Sequence, residues 1–211
     1  YEVSYHADGT IAGFTPKYDD IPMKIKKRII ADLDSAPYPL KPVLPYSETV
    51  HDRIVLELYR GCIRGCRFCQ AGMVYRPIRE KSPEKLCEMA KCLYENTGYD
   101  EISLISLSTS DYSRIDELTD GLLSWTDEKN VSLSLPSLRI DSFTEELMQK
   151  ISGVRRGGIT FAPEAGTQRL RDVINKNVCE EDLLRAVSLA YAFRKESVKL
   201  YFIQGLPTET P

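Results

Sequence analysis

Ile54-Val55-Leu56-Glu57-Leu58-Tyr59-Arg60-Gly61-Cys62-Ile63-Arg64-Gly65-Cys66-Arg67-Phe68-Cys69-Gln70 carries two signals in succession. Ile54 to Tyr59 is a short apolar run with one charge, which reads as a strand. It feeds directly into a loop that holds three of the chain's six cysteines, spaced C-x3-C-x2-C. Thiolates bind soft metals and iron–sulfur clusters. Gly61 and Gly65 let the backbone fold tightly enough for three sulfurs to approach one another. Three cysteines leave one iron of a four-iron cluster without a protein ligand, and an open coordination position is where metal chemistry takes place.

Working outward, strand and helix patterns alternate. Ser82-Pro83-Glu84 opens a helix with an N-cap, a proline at the first position and an acid in the first turn. Its stripe is Leu86, Ala90 and Leu93, and Gly98 closes it. Glu101 to Leu107 is a second strand. Asp111 is expected to cap a second helix with the stripe Ile115, Leu118, Leu122 and Trp125. Val131 to Leu135 is a third strand. Ser142 and Glu145 form a capping box before a helix carrying Leu147, Met148 and Ile151. Gly158 to Ala162 is a fourth strand, followed by a helical region from Thr167 to about Lys195, broken near Asn177. Val198 to Gln204 is a fifth strand, ending in Gly205-Leu206-Pro207. Such alternation implies right-handed βαβ units and a parallel sheet.

Upstream, residues 1–15 read as a hairpin about the turn Asp8-Gly9. Residues 16–50 read as a proline-rich linker, with Pro16, Pro22, Pro37, Pro39, Pro42 and Pro45 interrupting regular structure. Between them Lys24 to Leu33 suits a short helix or an extended edge. Its Lys24, Lys26, Lys27 and Arg28 read as a solvated face, with an RNA-contacting patch as the alternative. The expected division is therefore 1–50, hairpin and linker, and 51–211, the α/β core.

The 211 residues suffice for one domain with a substantial core, and 42% hydrophobic with 28% charged residues argues against disorder. A net charge of −3 provides no global field toward nucleic acid or an anionic membrane. No apolar run is long enough to span a bilayer, and the N-terminus does not read as a signal peptide. Six cysteines in a chain of this length do not suggest a secreted disulfide scaffold, so a reducing cytoplasm is expected.

The C-x3-C-x-aromatic-C loop, with Phe68 as the aromatic, resembles the cluster loop of the radical S-adenosylmethionine enzymes. The resemblance covers roughly residues 52–211, and the stretch from Phe161 through Asn175-Lys176 is similar to the methylthiotransferase and Elongator-like branch. It implies a partial parallel (β/α) barrel, about five βα units of which are present here. It implies a 4Fe–4S cluster on Cys62, Cys66 and Cys69, with S-adenosylmethionine chelating the fourth iron. It also implies reductive cleavage to a 5′-deoxyadenosyl radical that takes hydrogen from a substrate. Phe68 would pack near the adenine. Ile203-Gln204-Gly205 resembles the fifth-strand motif that supports the adenine, and Phe161-Ala162-Pro163-Glu164 the fourth-strand end that reaches the ribose. Ser106 to Thr109 takes the place of the family's second-strand motif, so Ser106 and Ser108 would meet the methionine amino group. An external electron donor of flavodoxin or ferredoxin type is implied. The substrate, whether RNA, small molecule or protein, is not named by these residues. The proline-rich lead-in looks like that of radical enzymes bearing a cobalamin-binding domain, which would lie outside this chain. His6 stands three residues before Gly9, as in a cobalamin-binding motif, but the rest of that motif is absent and it reads as a turn residue.

Other readings stand beside these. The cysteine loop could form a structural zinc site in an RNA-binding module, although no fourth ligand has a fitting spacing. It could also serve an electron-transfer module without catalysis. Cys87 and Cys92 point to different faces of one helix and read as core cysteines, and His51 as a loop residue. Arg60, Arg64 and Arg67 would offset cluster charge or be solvated. Arg139, at a strand end, would hold a carboxylate or an ordinary ion pair. The fifth strand, apolar at Val198, Leu200 and Phe202, is expected to present an open edge and to favour self-association.

Overall fold

A computed structural model describes residues 1–47, 49–151, 158–193 and 195–210. It divides into two compact units, Tyr1–Ala31 and Asp32–Pro211.

In the first unit, β1 (Glu2–Tyr5) pairs antiparallel with β2 (Ile11–Thr15), Glu2 opposite Thr15 and Val3 opposite Phe14. Asp8 shapes the turn by accepting hydrogen bonds from the amide and hydroxyl of Thr10 at 3.0 and 2.7 Å. The rings of Tyr1 and Phe14 stack at 4.2 Å. The hairpin is as its sequence predicts. The segment from Met23 to Ala31 forms neither helix nor strand.

In the second unit, β3 (Ile54–Glu57) is followed by a two-residue strand β4 (Tyr59–Arg60), the cysteine loop, α1 (Gln70–Val74) and β5 (Arg79–Glu80). β4 and β5 pair antiparallel, so the cysteine loop and α1 lie within a hairpin. The sequence shows one continuous strand here. Two-residue strands are too short to leave an alternation pattern. Next come α2 (Pro83–Thr97), β6 (Glu101–Ile105), α3 (Ile115–Lys129), β7 (Ser132–Ser134) and α4 (Glu145–Ile151). The chain continues through β8 (Ile159–Glu164), α5 (Gln168–Val173), α6 (Glu180–Ala192) and β9 (Val198–Phe202). β3, β6 and β7 form a parallel sheet in that order, and β8 pairs parallel with β9. These five strands pair parallel within their two sheets, with helices between them, as the alternation implies, and the α/β architecture is the partial barrel that the resemblance implies.

The core explains the register. Ile54 faces Ile102 and Leu56 faces Leu104, all fully buried, against Leu86 and Leu93 of α2 and Leu118 and Leu122 of α3. Each such side chain contributes about 1.5–3 kcal/mol by leaving water. The upstream stretch joins this core: Leu33 is buried, the Tyr38 hydroxyl donates to the Val55 carbonyl, and Asp34 accepts from the Ser82 amide at 2.8 Å.

Local end signals hold for α2. Ser82 accepts from the Lys85 amide at 3.2 Å, Pro83 occupies the first turn, and Gly98 closes the helix with φ of 71°. Two expected caps are corrected. Asp111 does not cap α3; it ends a short 3₁₀ turn, Thr109–Asp111, and its carboxylate turns to Arg64. Ser142 does not cap α4 either. Thr144 does, accepting from the Leu147 amide at 3.2 Å, while the Ser142 hydroxyl donates to Ser110. Leu147 and Met148 are buried, and the side chain of Ile151 lies outside what is described. The predicted break near Asn177 is present between α5 and α6. Asn175 and Asn177 both adopt positive φ, 54° and 50°, where asparagine is tolerated and a helix cannot continue. The free edge of β9 has no strand partner among the described residues, and Tyr201 and Phe202 are exposed. No described helix is long and apolar enough to cross a membrane.

Candidate metal centre

Cys62, Cys66 and Cys69 form no disulfide and are partly exposed. Cys62 Sγ accepts from the Arg64 amide at 3.4 Å. Cys69 caps α1, accepting from the Gly72 amide at 3.3 Å, and its own amide donates to the Cys66 carbonyl at 3.1 Å. Gly61 enters the loop with φ of +98°. A Cβ there would meet the Pro77 carbonyl oxygen at 2.7 Å, so the approach of β4 to its hairpin partner requires glycine. A shallow depression of about 510 Å³ opens beside Cys62, lined by Ile63, Arg76, Pro77 and Ile78.

The spacer residues of the loop do the anchoring. Arg64 grips Asp111 with two nitrogens, at 2.9 and 2.5 Å, and reaches Asp141 at 3.1 Å. Asn175 Nδ2 donates to the Gly65 carbonyl at 2.8 Å. The Arg67 amide donates to the Ile174 carbonyl at 2.9 Å, and its guanidinium to the Val173 carbonyl. Ile63 and Phe68, by contrast, are exposed, Phe68 at 42%. The three loop arginines are thus largely engaged within the chain, since Arg60 pairs with Glu57 at 2.7 and 2.9 Å. None of them is left to solvent alone.

The segments after β6, β7 and α5 reach this loop through Asp111, Asp141 and Asn175. After β6, Ser106 accepts from the Ser108 amide at 3.2 Å and lies 3.3 Å from the Thr109 hydroxyl. Ser108 is buried and its hydroxyl donates to Asp111 at 2.7 Å, so it braces the carboxylate that holds Arg64. After β7, Arg139 pairs with Asp141 at 2.8 and 3.1 Å and donates to the Lys176 carbonyl at 3.1 Å. The carboxylate that Arg139 holds is therefore one of the chain's own. At the end of β8, Glu164 has φ of +68° and pairs with Lys176 at 3.0 Å. Its carbonyl accepts from the Ile203 amide at 2.8 Å, which brings the fifth-strand end beside the fourth. Gly205 follows at φ +78° with open space where a side chain would stand.

Burial sets the electrostatics. Burial pushes the Tyr59 hydroxyl up to about 12, aided by the negative charge of Asp111 and Cys62, against hydrogen bonding with Ser106 and Ser108. Tyr59 therefore stays protonated and donates to the Ser108 carbonyl. For Asp111 burial acts upward, but hydrogen bonds from Arg64 and Ser108 outweigh it and hold the carboxyl below its ordinary range.

Asp111, Asp141 and Asn175 are site residues that sequence reasoning missed. Asp111 and Asn175 sit at helical ends with partners 47 and 110 residues away, and Asp141, in the loop after β7, joins its near neighbour Arg139 to the distant Arg64. Cys87 packs half-buried on the core, Cys179 caps α6 and donates to Asp182 at 3.0 Å, and His51 faces Arg53 in a loop. None of these joins the cysteine loop.

The donor set fits an iron–sulfur cluster. Three free thiols share one braced loop, and all are partly exposed. Among the described residues no three Cys, His, Asp or Glu side chains surround a single ion. A four-iron cluster does not require that, because each thiolate binds a different iron.

A model of the Radical SAM superfamily matches residues 56–211. An uncharacterised protein of Methanocaldococcus jannaschii is 36% identical over 187 residues, 89% of this chain and 40% of that protein. A putative methylthiotransferase of the same organism is 27% identical, covering 74% of this chain and 36% of the relative. An uncharacterised methyltransferase of Pyrococcus horikoshii is 25% identical, with 86% and 40% covered. The chain thus spans about 40% or less of the length of these relatives. Among solved structures, the cobalamin-dependent S-adenosylmethionine radical enzyme OxsB superposes with a TM-score of 0.57 at 19% identity, over 71% of this chain and 23% of that one. The radical S-adenosylmethionine methyltransferase TsrM from Kitasatospora setae gives 0.58 at 16% identity, over 75% and 32%. Both show a shared fold.

Proposed function

The chain belongs to the Radical SAM superfamily, and from that membership we propose that residues 51–211 hold a 4Fe–4S cluster and S-adenosylmethionine at the strand ends. When bound and reduced by an external donor, the cluster would supply one electron to split S-adenosylmethionine into methionine and a 5′-deoxyadenosyl radical, which would take a hydrogen atom from the substrate. The observation that carries this reading is the set of three unpaired, part-exposed cysteines on one braced loop that follows the first parallel strand.

The chain's own residues bind and orient. Cys62, Cys66 and Cys69 are the ligands. Phe68, exposed in the loop, offers a face to the adenine. Ile203 and Gly205 line the approach at the β9 end, where Gly205 leaves its backbone open. Glu164 would meet the ribose, its carboxylate held in the chain by Lys176. Ser106 and Ser108 shape the turn after β6 that faces the methionine end. The transferase names of two relatives favour transfer of a group to the substrate as the overall reaction. We extend cobalamin, present in the OxsB and TsrM structures, to this protein as a cofactor held outside residues 1–211.

The test is anaerobic reconstitution with iron and sulfide, reduction with dithionite, and assay for 5′-deoxyadenosine. Cys66→Ala should abolish both bound iron and product, whereas Cys87→Ala should keep both. A brown, reducible protein that makes no 5′-deoxyadenosine would be an electron-transfer module. A colourless protein containing zinc would be the structural-zinc alternative.

A further inference from the structure

The contacts around the cysteine loop close on themselves. Arg64 reaches Asp141 at 3.1 Å, and Asp141 is held by Arg139 at 2.8 and 3.1 Å. Arg139 donates to the Lys176 carbonyl at 3.1 Å. One residue earlier, Asn175 donates to the carbonyl of Gly65 at 2.8 Å, and Gly65 is the neighbour of Arg64. The ring therefore leaves the loop through a side chain and returns to the adjacent backbone, crossing the ends of β7 and α5. Asp111 braces it from the β6 end.

We propose that Arg139, Asp141 and Asn175 are positioning residues for the cysteine loop, acting through Arg64 and Gly65 to fix its shape before any cluster is bound. Charge argues for geometry as the purpose. Arg64 and Arg139 are balanced by Asp111 and Asp141, so the group adds no net charge to offset that of thiolates. What it adds is direction: planar guanidinium forks hold carboxylates in fixed orientation, which a point charge does not. Arg139 lies in the middle of this arrangement with only 9% of its side chain exposed. The loop's spacers are held while its thiols remain accessible, as a site that must accept a preassembled cluster requires. This inference rests on the cluster reading for its purpose, but its geometry can be tested without a cluster.

The chain supplies its own control, because Cys87 and Cys92 lie outside the loop on α2. The cluster-free protein and its Arg139→Gln and Asn175→Gly variants are treated with limiting iodoacetamide, and modification is mapped by peptide mass. Loss of either tether should speed alkylation of Cys62, Cys66 and Cys69 by about tenfold while leaving Cys87 and Cys92 unchanged. Arg139→Lys should behave like Arg139→Gln, since the charge survives and the fork does not. If all five thiols accelerate together, the ring is merely structural; if none does, the loop does not depend on it. Either result overturns the proposal. If Arg139→Gln fails to fold, Asn175→Gly, which removes a partly exposed amide and suits the left-handed backbone, decides alone. Iron retention against a chelator is measured in parallel on reconstituted protein. A wild type without iron but with the selective alkylation shift would refute the cluster and uphold the ring. A wild type with iron and no shift would do the reverse.

Discussion

Asn175 occupies the place where a side chain on Gly65 would be: a Cβ built on Gly65 comes within 2.9 Å of Asn175 Nδ2. The obstacle is the end of a side chain and can swing aside. At Gly61 the obstacle is the Pro77 carbonyl, at 2.7 Å, and φ is +98°. Gly61→Ala should therefore cost about 1–3 kcal/mol, and Gly65→Ala clearly less, by urea midpoint. Equal losses would mean that the hairpin around the cysteine loop yields as easily as the Asn175 side chain.

Acid should expose the contribution of Asp111. Its folded carboxyl lies below its ordinary range, so the folded state binds fewer protons than the unfolded one. The stabilisation is complete above the unfolded value of about 4 and disappears as pH falls through the folded value. Asp111→Asn should destabilise by about 1–3 kcal/mol at pH 7, and the difference from wild type should shrink below about pH 4. Urea unfolding of the cluster-free protein at both ends of this range measures it. A gap that stays constant with pH would exclude Asp111 from the acid response.

Removing the carboxylate of Glu164 should weaken S-adenosylmethionine binding without loss of iron. A lost hydrogen bond to a charged group costs about 1.5–3 kcal/mol. Glu164→Ala should accordingly raise Kd by about 10- to 100-fold in calorimetry on reconstituted protein. Unchanged affinity would confine Glu164 to its ion pair with Lys176.

A stabilising change is also expected. Thr126 is fully buried near the end of α3, and its Oγ1 finds no partner among the described residues. Thr126→Val replaces an unpaired hydroxyl by a methyl of the same shape and should add about 1 kcal/mol. A lower urea midpoint would show that the hydroxyl is satisfied after all.

What could be read from the sequence follows the range of the interaction that decides it. Ser82, Pro83 and Gly98 set the ends of α2 through contacts within one turn, and those ends are where the sequence puts them. Asp111 looks like a helix cap by the same local rule, but Arg64, 47 residues earlier, takes its carboxylate. Ser142 is drawn off its helix by Ser110 in the same way. The cysteines could be read because their spacing is itself local. The residues that brace them could not, because Asn175 and Arg139 declare their role only once the strands have placed them.

The hydrogen bond from Asn175 to Gly65 also imposes an order in time. Its two partners are 110 residues apart, and the cysteines come first. At ribosomal rates of 5–20 residues per second that separation takes roughly 5–20 s to synthesise. For that interval the nascent chain carries three thiols on a loop whose last fastening has not yet been made. Iron delivered to the finished domain meets a fully braced loop, whereas iron or oxidant arriving earlier meets a partly fastened one.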